Sequence, residues 1–511
     1  MNEEIKHKNG TVIIISGAAG QGIQTIQELA MRIVKNSGLH VFATKEYMSR
    51  IRGGSNTTLI RVSDTPVKCH DRRIDFLISL KKGTHDHIHD WYQEGTKLIE
   101  ESKENDSGEK IKKIQFPFAE IAEEVGGKIF ENVIALGIIC NIIGVEEEVA
   151  KSVLKKHFAD KPQSIDNNIS AYERGYEKAA EIIPDDGKPN YTQDDTIREQ
   201  LIMDGAAAVS LGAVAGGCNF ISSYPMSPST AILVHLAKFS KKHDIIVEQA
   251  EDEISAINMI LGAWYAGARG IVTTSGGGLS LMQEGISLCG MIETPAVIHV
   301  GQRPGPGTGL PTRTEQGDLN LVLNAGQGEF PRVIFAPGTI PDGFYLTQRG
   351  FNIADKYQIP VFILTDQYFL ESFSNITEFD LESIEIKHYI EETPEDYKRY
   401  AFVESGISPR GIPGHGKGLV CVDSDEHDEH GRITENFDVR IKMVEKRLAK
   451  LEKLKQESIM PDFFGDQNYS TLIISWGSNQ EVLKEALFHL KKKGLAVLHF
   501  KQVYPVNPKV R

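Results

Sequence analysis

Apolar positions along the chain recur in two periods, and the switches between them lay out the elements. Residues 11–16 (TVIIIS) form a β-branched run with no charged interruption, the pattern of a buried strand. The turn Gly17-Ala-Ala-Gly20-Gln21-Gly22 follows. Ile23, Ile26, Leu29, Ala30 and Ile33 then recur at helical spacing. Together they predict strand, glycine-rich turn, helix. Apolar stretches at 75–80 and 132–137 continue an α/β alternation, and a helix over 170–183 closes the segment. Residues 184–196 (PDDGKPNYTQDDT) are polar and rich in breakers, and predict a linker.

From 197 to 373 the alternation is denser. A helix rich in small residues covers 204–217. Strand-like runs follow at 220–223, 245–247, 270–274, 296–300, 333–336 and 361–365, with helical stretches between them. This pattern predicts a doubly wound parallel sheet. From 374 to 466 the chain is charged and irregular, with an acidic loop at 423–430 and a charged stretch at 439–456 expected as a solvated helix. The end reads strand (471–475), a helix led by Glu481, and strand (496–500). That piece is short for an open α/β domain with its own core, so a truncated domain is expected. The prediction is a multi-domain α/β protein divided at 1–185, a linker 186–199, 200–373, a connecting region 374–465, and 466–511.

Composition narrows the class. The 511 residues suggest about three domains, and 40% hydrophobic with 25% charged residues is ordinary for a globular protein. A net charge of -14 argues against a nucleic-acid binder, which needs a basic face for phosphates. The five cysteines are scattered with no CxxC, which fits a reducing cytosol and excludes a CxxCxxC iron–sulfur run on this chain. The polar first residues and the lack of an apolar run of about 18 residues predict a cytoplasmic protein without a membrane span. His85, His87 and His89, and His427 with His430, read as solvated surface, and no metal is expected on this chain.

Several motifs sit where chemistry is done in open α/β sheets. The 17–22 turn is G-x-x-G-x-G, not the dinucleotide G-x-G-x-x-G. Its backbone amides at a helix start can hold an anion, or it is a tight turn without a ligand. Arg50-Ile-Arg52-Gly-Gly-Ser55-Asn56 offers a phosphate grip or a surface salt-bridging turn. In Tyr224-Pro225-Met226-Ser227-Pro228-Ser229-Thr230, two prolines fix a turn after a strand; Ser227 reads as a ligand-facing hydroxyl, a helix N-cap, or both. Glu248, Glu251, Asp252 and Glu253 cluster at a helix start. Dipole complementation accounts for Glu251 and Asp252, whereas Glu253 leads a nearly all-apolar helix and so predicts a buried carboxylate in need of a partner. Arg303 opens the loop Arg303-Pro-Gly-Pro-Gly-Thr-Gly-Leu-Pro-Thr312 and reads as a carboxylate fork or as a loop-closing arginine. Gly276 and Gly277 at a strand end let a ring approach the backbone.

These motifs, taken in order, resemble the alpha subunit of 2-oxoacid:ferredoxin oxidoreductases, in the form with a gamma domain fused at the N-terminus. The N-terminal features Gly20-Gln21-Gly22-Ile23, Arg52-Gly-Gly-Ser55 and 132–137 are similar to that gamma domain, and the resemblance covers nearly the whole chain. It implies a Rossmann-like gamma-type domain, a pyrimidine-binding domain for thiamine diphosphate and a partial transketolase-C-like domain. It places Tyr224, Pro225, Gly276 and Gly277 at the cofactor, and Glu253 at the pyrimidine ring, where a carboxyl group favours the imino tautomer. Ser227, where the family has threonine, Arg303 and Thr312 fall at substrate-binding positions. Gly20, Gln21, Gly22 and Arg52 fall in the region of coenzyme A. A beta subunit is implied to supply the diphosphate end, Mg²⁺ and a [4Fe-4S] cluster, in a heterodimer or dimer of heterodimers, with ferredoxin as acceptor. The Arg303–Thr312 loop resembles the 2-oxoglutarate type more than the pyruvate type. Another thiamine enzyme and a non-catalytic nucleotide-binding scaffold remain open on the residues alone.

Overall fold

The structure is a computed structural model and describes residues 10–48, 54–101, 111–185 and 188–510. The chain divides into two compact units, Met1–Met203 with Glu371–Glu378, and Asp204–Leu370 with Phe379–Arg511.

The first unit is built on strands β1 (Thr11–Ala18), β2 (His40–Glu46), β3 (Ser55–Ser63), β4 (Phe76–Ser79), β5 (Thr96–Glu100), β6 (Ile111–Gln115) and β7 (Leu201–Asp204). A strand from the returning segment, Phe373–Ile376, joins them to give an eight-stranded sheet. β1 pairs in parallel with β4 and antiparallel with β3. Val12 to Ile15 are fully buried, as an uninterrupted apolar strand must be when both faces are covered. The glycine-rich turn leads into the helix Ile23–Asn36, as the sequence predicts.

One expectation for this unit needs correction. The apolar stretch 132–137 lies inside the helix Glu131–Ile143, in which every residue from Val133 to Ile143 is buried. A helix covered on all sides has no polar face, so its periodicity vanishes and a short piece reads like a strand. β3 escaped the pattern because it carries polar side chains inward. Arg61 on β3 is 1% exposed, and its guanidinium donates to the Cys69 carbonyl at 3.0 Å.

The second unit holds β8 (Phe220–Ser223), β9 (Ile246–Gln249), β10 (Gly270–Thr274), β11 (Ala296–Gln302), β12 (Val333–Phe335) and β13 (Pro360–Asp366). With the Phe373–Ile376 strand counted as β14, the C-terminal strands are β15 (Asp462–Gly465), β16 (Thr471–Trp476), β17 (Leu495–Phe500) and β18 (Gln502–Tyr504). The main sheet runs β18-β12-β13-β11-β10-β8-β9, parallel except for β18. β15, β17 and β16 form a separate small sheet. The order fixes where a ligand belongs. From β8 the chain steps to β9 on one side, then crosses to β10 on the other. The crevice of a doubly wound sheet opens at such a reversal, outside the carboxyl ends of β8 and β10.

The charged region folds onto this unit. The helix Phe437–Glu457 is not simply solvated: Lys446 and Lys450 are buried, each 2.6 Å from the Glu293 carboxylate. Nor are all the histidines surface groups. His427 is fully buried and packs on Tyr400 with ring centroids 3.9 Å apart, and the half-buried His85 meets the Tyr92 hydroxyl at 2.5 Å. Charge content suggested solvent in both places because sequence does not show which charges have buried counter-charges. Among the described residues no single helix is long and apolar enough to cross a membrane.

Candidate active site

The loop after β8 carries Tyr224 to Ser229. Its helix is Thr230–His243, with Ser229 at the N-cap position and no side-chain cap bond. Ser227 is therefore not the N-cap; the helix starts two residues later than that reading requires. Ser229 instead donates its hydroxyl to the Thr274 carbonyl at the end of β10. The Ser275 hydroxyl meets the Met226 sulfur at 2.6 Å, and Gly301 on β11 gives Pro228 room to lie against the backbone. The loop is thus clamped over β10 and β11. Tyr224 is 39% exposed, Pro225 and Ser227 are half-buried, and the Ser227 hydroxyl makes no hydrogen bond among the described residues.

Glu253 is the first residue of the helix Glu253–Tyr265, behind Asp252, whose carboxylate caps the helix by accepting from the Ser255 N–H at 2.7 Å. That capping bond leaves Glu253 spare. Its side chain is 3% exposed, and Oε1 is buried with no hydrogen-bond partner. Burying a carboxylate oxygen without a donor is costly, so the atom is placed for something that arrives. The glycines after β10 explain how it fits. A Cβ on Gly278 would lie 2.6 Å from Glu253 Oε1. A Cβ on Gly276 would collide with the carboxylate of Asp318. Gly277 between them is exposed.

Arg303 follows β11 and donates through Nη1 to the Ser227 carbonyl at 2.6 Å. This joins the third motif to the first. The loop it opens turns back on itself, with the Leu310 N–H on the Pro304 carbonyl at 3.1 Å. The loop closes where the Asp318 N–H donates to Gln302 Oε1 at 3.0 Å. Thr312 is half-buried on this loop, and its carbonyl accepts from Arg313 at 2.9 Å. Burial pushes the Arg303 pKa down while the charge of Asp318 opposes that. The Asp318 carboxyl is pushed up by burial and by Glu315, against the pull of Arg303.

Glu253, Gly278, Gly276, Asp318, Arg303 and Ser227 therefore form one chain of neighbours at the switch point. Asp318 was missed in the sequence because an acid before the apolar run LNLVL reads as a routine helix cap. The structure gives it the cap position of Leu319–Leu323 but no side-chain cap bond. An unpartnered buried carboxylate, bare glycine backbone and a guanidinium fit a flat ring with a protonatable nitrogen beside a carboxylate ligand. That donor set suits an aminopyrimidine and a 2-oxoacid.

The N-terminal site residues belong to the first unit. Gly20 and Gly22 adopt φ of 93° and 74° in the turn before the helix Ile23–Asn36, which has no acid in its first turn. Gln21 holds the turn closed: its Oε1 accepts from the Ala18 N–H at 2.6 Å and its amide reaches the Glu131 carboxylate at 3.4 Å. Arg52 lies outside the described residues.

Comparisons with known proteins identify the family. The family described as pyruvate flavodoxin/ferredoxin oxidoreductase, thiamine diphosphate-binding, matches residues 211–446, and the pyruvate ferredoxin/flavodoxin oxidoreductase family matches residues 12–178. The chain is 32% identical to a 2-oxoacid:ferredoxin oxidoreductase subunit alpha from Sulfolobus sp, over 93% of this chain and 84% of that one. The 2-oxoglutarate synthase subunit KorA of Methanocaldococcus jannaschii is 33% identical over 59% of this chain and 82% of its own. The solved 2-oxoglutarate:ferredoxin oxidoreductase from Magnetococcus marinus, with 2-oxoglutarate, coenzyme A and succinyl-CoA bound, superposes with a TM-score of 0.90 at 28% identity, over 98% of this chain and 89% of that one. With family models matching both halves of the chain, this chain belongs to the 2-oxoacid:ferredoxin oxidoreductase family, as a thiamine-diphosphate-dependent subunit of the alpha type.

Proposed function

We propose that the chain supplies the pyrimidine half of a thiamine-diphosphate site that converts a 2-oxoacid and coenzyme A to acyl-CoA and CO₂, passing two electrons to ferredoxin. A beta subunit holds the diphosphate end, Mg²⁺ and the [4Fe-4S] cluster. The observation that carries the reading is the buried, unpartnered Glu253 Oε1 above Gly278 at the sheet's reversal. Among the relatives, the KorA proteins and the Magnetococcus enzyme favour 2-oxoglutarate as substrate.

When bound, thiamine diphosphate supplies a carbanion-stabilising electron sink for decarboxylation. The rest falls to the protein. Glu253 hydrogen-bonds the pyrimidine nitrogen and holds the proton there. Gly276 and Gly277 let the ring meet bare backbone, with Tyr224 and Pro225 at the loop beside it. Arg303, tied to the Ser227 carbonyl, presents its remaining N–H groups to the substrate carboxylate, and the Ser227 hydroxyl and Thr312 complete that pocket. In the first unit, the Gly20–Gln21–Gly22 turn offers backbone amides to an anion of coenzyme A, and Arg52 is assigned to the same ligand on the family resemblance. Domain roles follow the same division: a gamma-like domain over 1–185 and a pyrimidine-binding domain over 200–373.

The test is reconstitution with the beta subunit, reading 2-oxoacid-dependent viologen reduction. Glu253→Gln is expected to lower kcat on the order of 10³-fold, the range of a lost acid–base group. Arg303→Gln is expected to raise KM for the 2-oxoacid. Near wild-type kcat in Glu253→Gln would end the assignment, and equal kcat/KM for pyruvate and 2-oxoglutarate would end the substrate preference.

A further inference from the structure

The turn after β16 reaches the loop that Arg303 opens, and no sequence motif points to that contact. Gln316 lies on the returning limb of this loop, four residues after Thr312. Its amide nitrogen donates to Asp366 Oδ2 at 3.1 Å and to the Trp476 carbonyl at 3.3 Å. Its Oε1 accepts from the Asn479 amide at 2.7 Å. Asp366 ends β13, paired across the sheet with Gln302, the residue before Arg303. It is buried, and its Oδ1 accepts from the Phe369 N–H at 2.8 Å. Its Oδ2 also accepts from the Ser478 hydroxyl at 2.6 Å. A single carboxylate oxygen thus receives both the substrate loop and the C-terminal segment. Two features of that segment fit it to the loop. Ser478 holds the N-cap position of the helix Asn479–Leu490 but makes no side-chain cap bond, because its hydroxyl goes to Asp366. Gly477 has a φ of 63°, and a Cβ there would lie 2.8 Å from the Gln316 amide nitrogen. Thr314 ties down the same limb, its hydroxyl accepting from the Tyr368 N–H at 3.2 Å.

We infer that Gln316 is a positioning residue that acts through Thr312, and that the Trp476–Asn479 turn is the clamp that holds the 303–312 loop closed for the 2-oxoacid. The inference rests on the proposed substrate-binding roles of Arg303 and Thr312. Between those two residues stand Gly305, Gly307 and Gly309, which leave the backbone many conformations. The Arg303 end is fixed by its bond to the Ser227 carbonyl. The Thr312 end has its anchor in Gln316. With both ends held, the loop is ordered when the chain folds, and substrate binding does not have to order it. Releasing the far end moves that ordering cost into the binding step. Such a loss weakens ground state and transition state alike, so it raises KM and leaves kcat.

The experiment uses the reconstituted complex with Gln316→Ala, Ser478→Ala and the double variant, varying 2-oxoglutarate and coenzyme A separately. Gln316→Ala is expected to raise KM for 2-oxoglutarate about tenfold, the size of one net hydrogen bond of about 1.4 kcal/mol. Ser478→Ala raises it by less, and the double variant no further than Gln316→Ala, because both act at one joint. Turnover number and KM for coenzyme A stay at the unaltered values. A merely structural role would lower the active fraction, and so kcat, with KM unchanged; that result overturns the inference. Equal rises in KM for both substrates overturn it, as does a double variant whose rise is the product of the single ones. Thr312→Val is run in parallel. If it leaves KM for 2-oxoglutarate unchanged, the substrate reading of the loop itself fails; if it raises KM while Gln316→Ala does not, only the clamp is lost.

Discussion

The second unit buries carboxylates in two contrasting ways. Away from the switch point, Asp355 is fully buried between two guanidinium groups, Arg269 at 2.8 Å and Arg410 at 2.5 Å. Glu293 is buried between Lys446 and Lys450. Burial by itself would raise the Glu293 carboxyl, but the two ammonium groups outweigh it and hold it far below the usual range. At the switch point Glu253 is buried and Asp318 half-buried, yet each keeps a buried oxygen without a donor. Cation-saturated carboxylates tie distant segments together, since Arg410 and Lys446 come from the irregular and charged region. Unsaturated ones lie over glycines at the ligand edge. Burial alone thus does not separate structure from function; the presence or absence of a partner does.

The largest test of that contrast is Asp355→Ala. It leaves two buried guanidinium groups unpaired and should cost about 3–5 kcal/mol of stability. Thermal unfolding of the variant would show it, and a loss under about 1 kcal/mol would erase the distinction. Glu253→Gln is the counterpart on the same readout: its melting temperature should stay level or rise, because a desolvated charge is removed. Next in size is Gly278→Ala, which pushes a methyl group toward Glu253 Oε1 and Thr274. Overpacking of about 1–3 kcal/mol is expected, together with lost turnover. Gly277→Ala, with only the Gly307 carbonyl at 3.4 Å nearby, should stay within about 0.5 kcal/mol. Equal effects at the two glycines would show that the close approach is not specific.

A separate, pH-dependent effect comes from a buried base. His299 on β11 is fully buried, bonded through Nε2 to the Thr365 hydroxyl at 2.8 Å, with Nδ1 unpartnered. Burial pushes its pKa down to about 3. As pH falls below the unfolded value of about 6.5, the unfolded chain takes up the proton first. The contribution is complete above about 6.5 and declines steadily toward pH 3. Melting temperatures between those limits should therefore fall less steeply in His299→Gln than in the unaltered protein. Parallel slopes would place the acid sensitivity elsewhere.

Much of the fold was legible in the chain. The runs at 11–16, 220–223, 270–274 and 296–300 became strands, as short apolar or β-branched runs bounded by turn residues do when they are buried in a sheet. The helix Glu131–Ile143 was not, because total burial erases the period that identifies a helix. β3 was not, because its Arg61 finds a carbonyl only after folding. The site divided along the same line. Motif order brought Ser227, Glu253 and Arg303 into view, and the structure joined two of them through a single hydrogen bond.

The sequence by itself determined the α/β alternation, the positions of the glycine-rich turns and the presence of an acid at the head of an apolar helix. These depend on local spacing and on which residues tolerate which backbone. Only the tertiary structure decided which acids are paired. Pairing joins groups far apart in the chain, such as Glu293 with Lys446 and Asp355 with Arg410. The free energy of a buried charge depends on the donors within a few ångströms, not on its neighbours in sequence. Glu253 and Asp318 stand out for that reason: folding brought cations to Glu293 and Asp355 and left an oxygen on each of these two open.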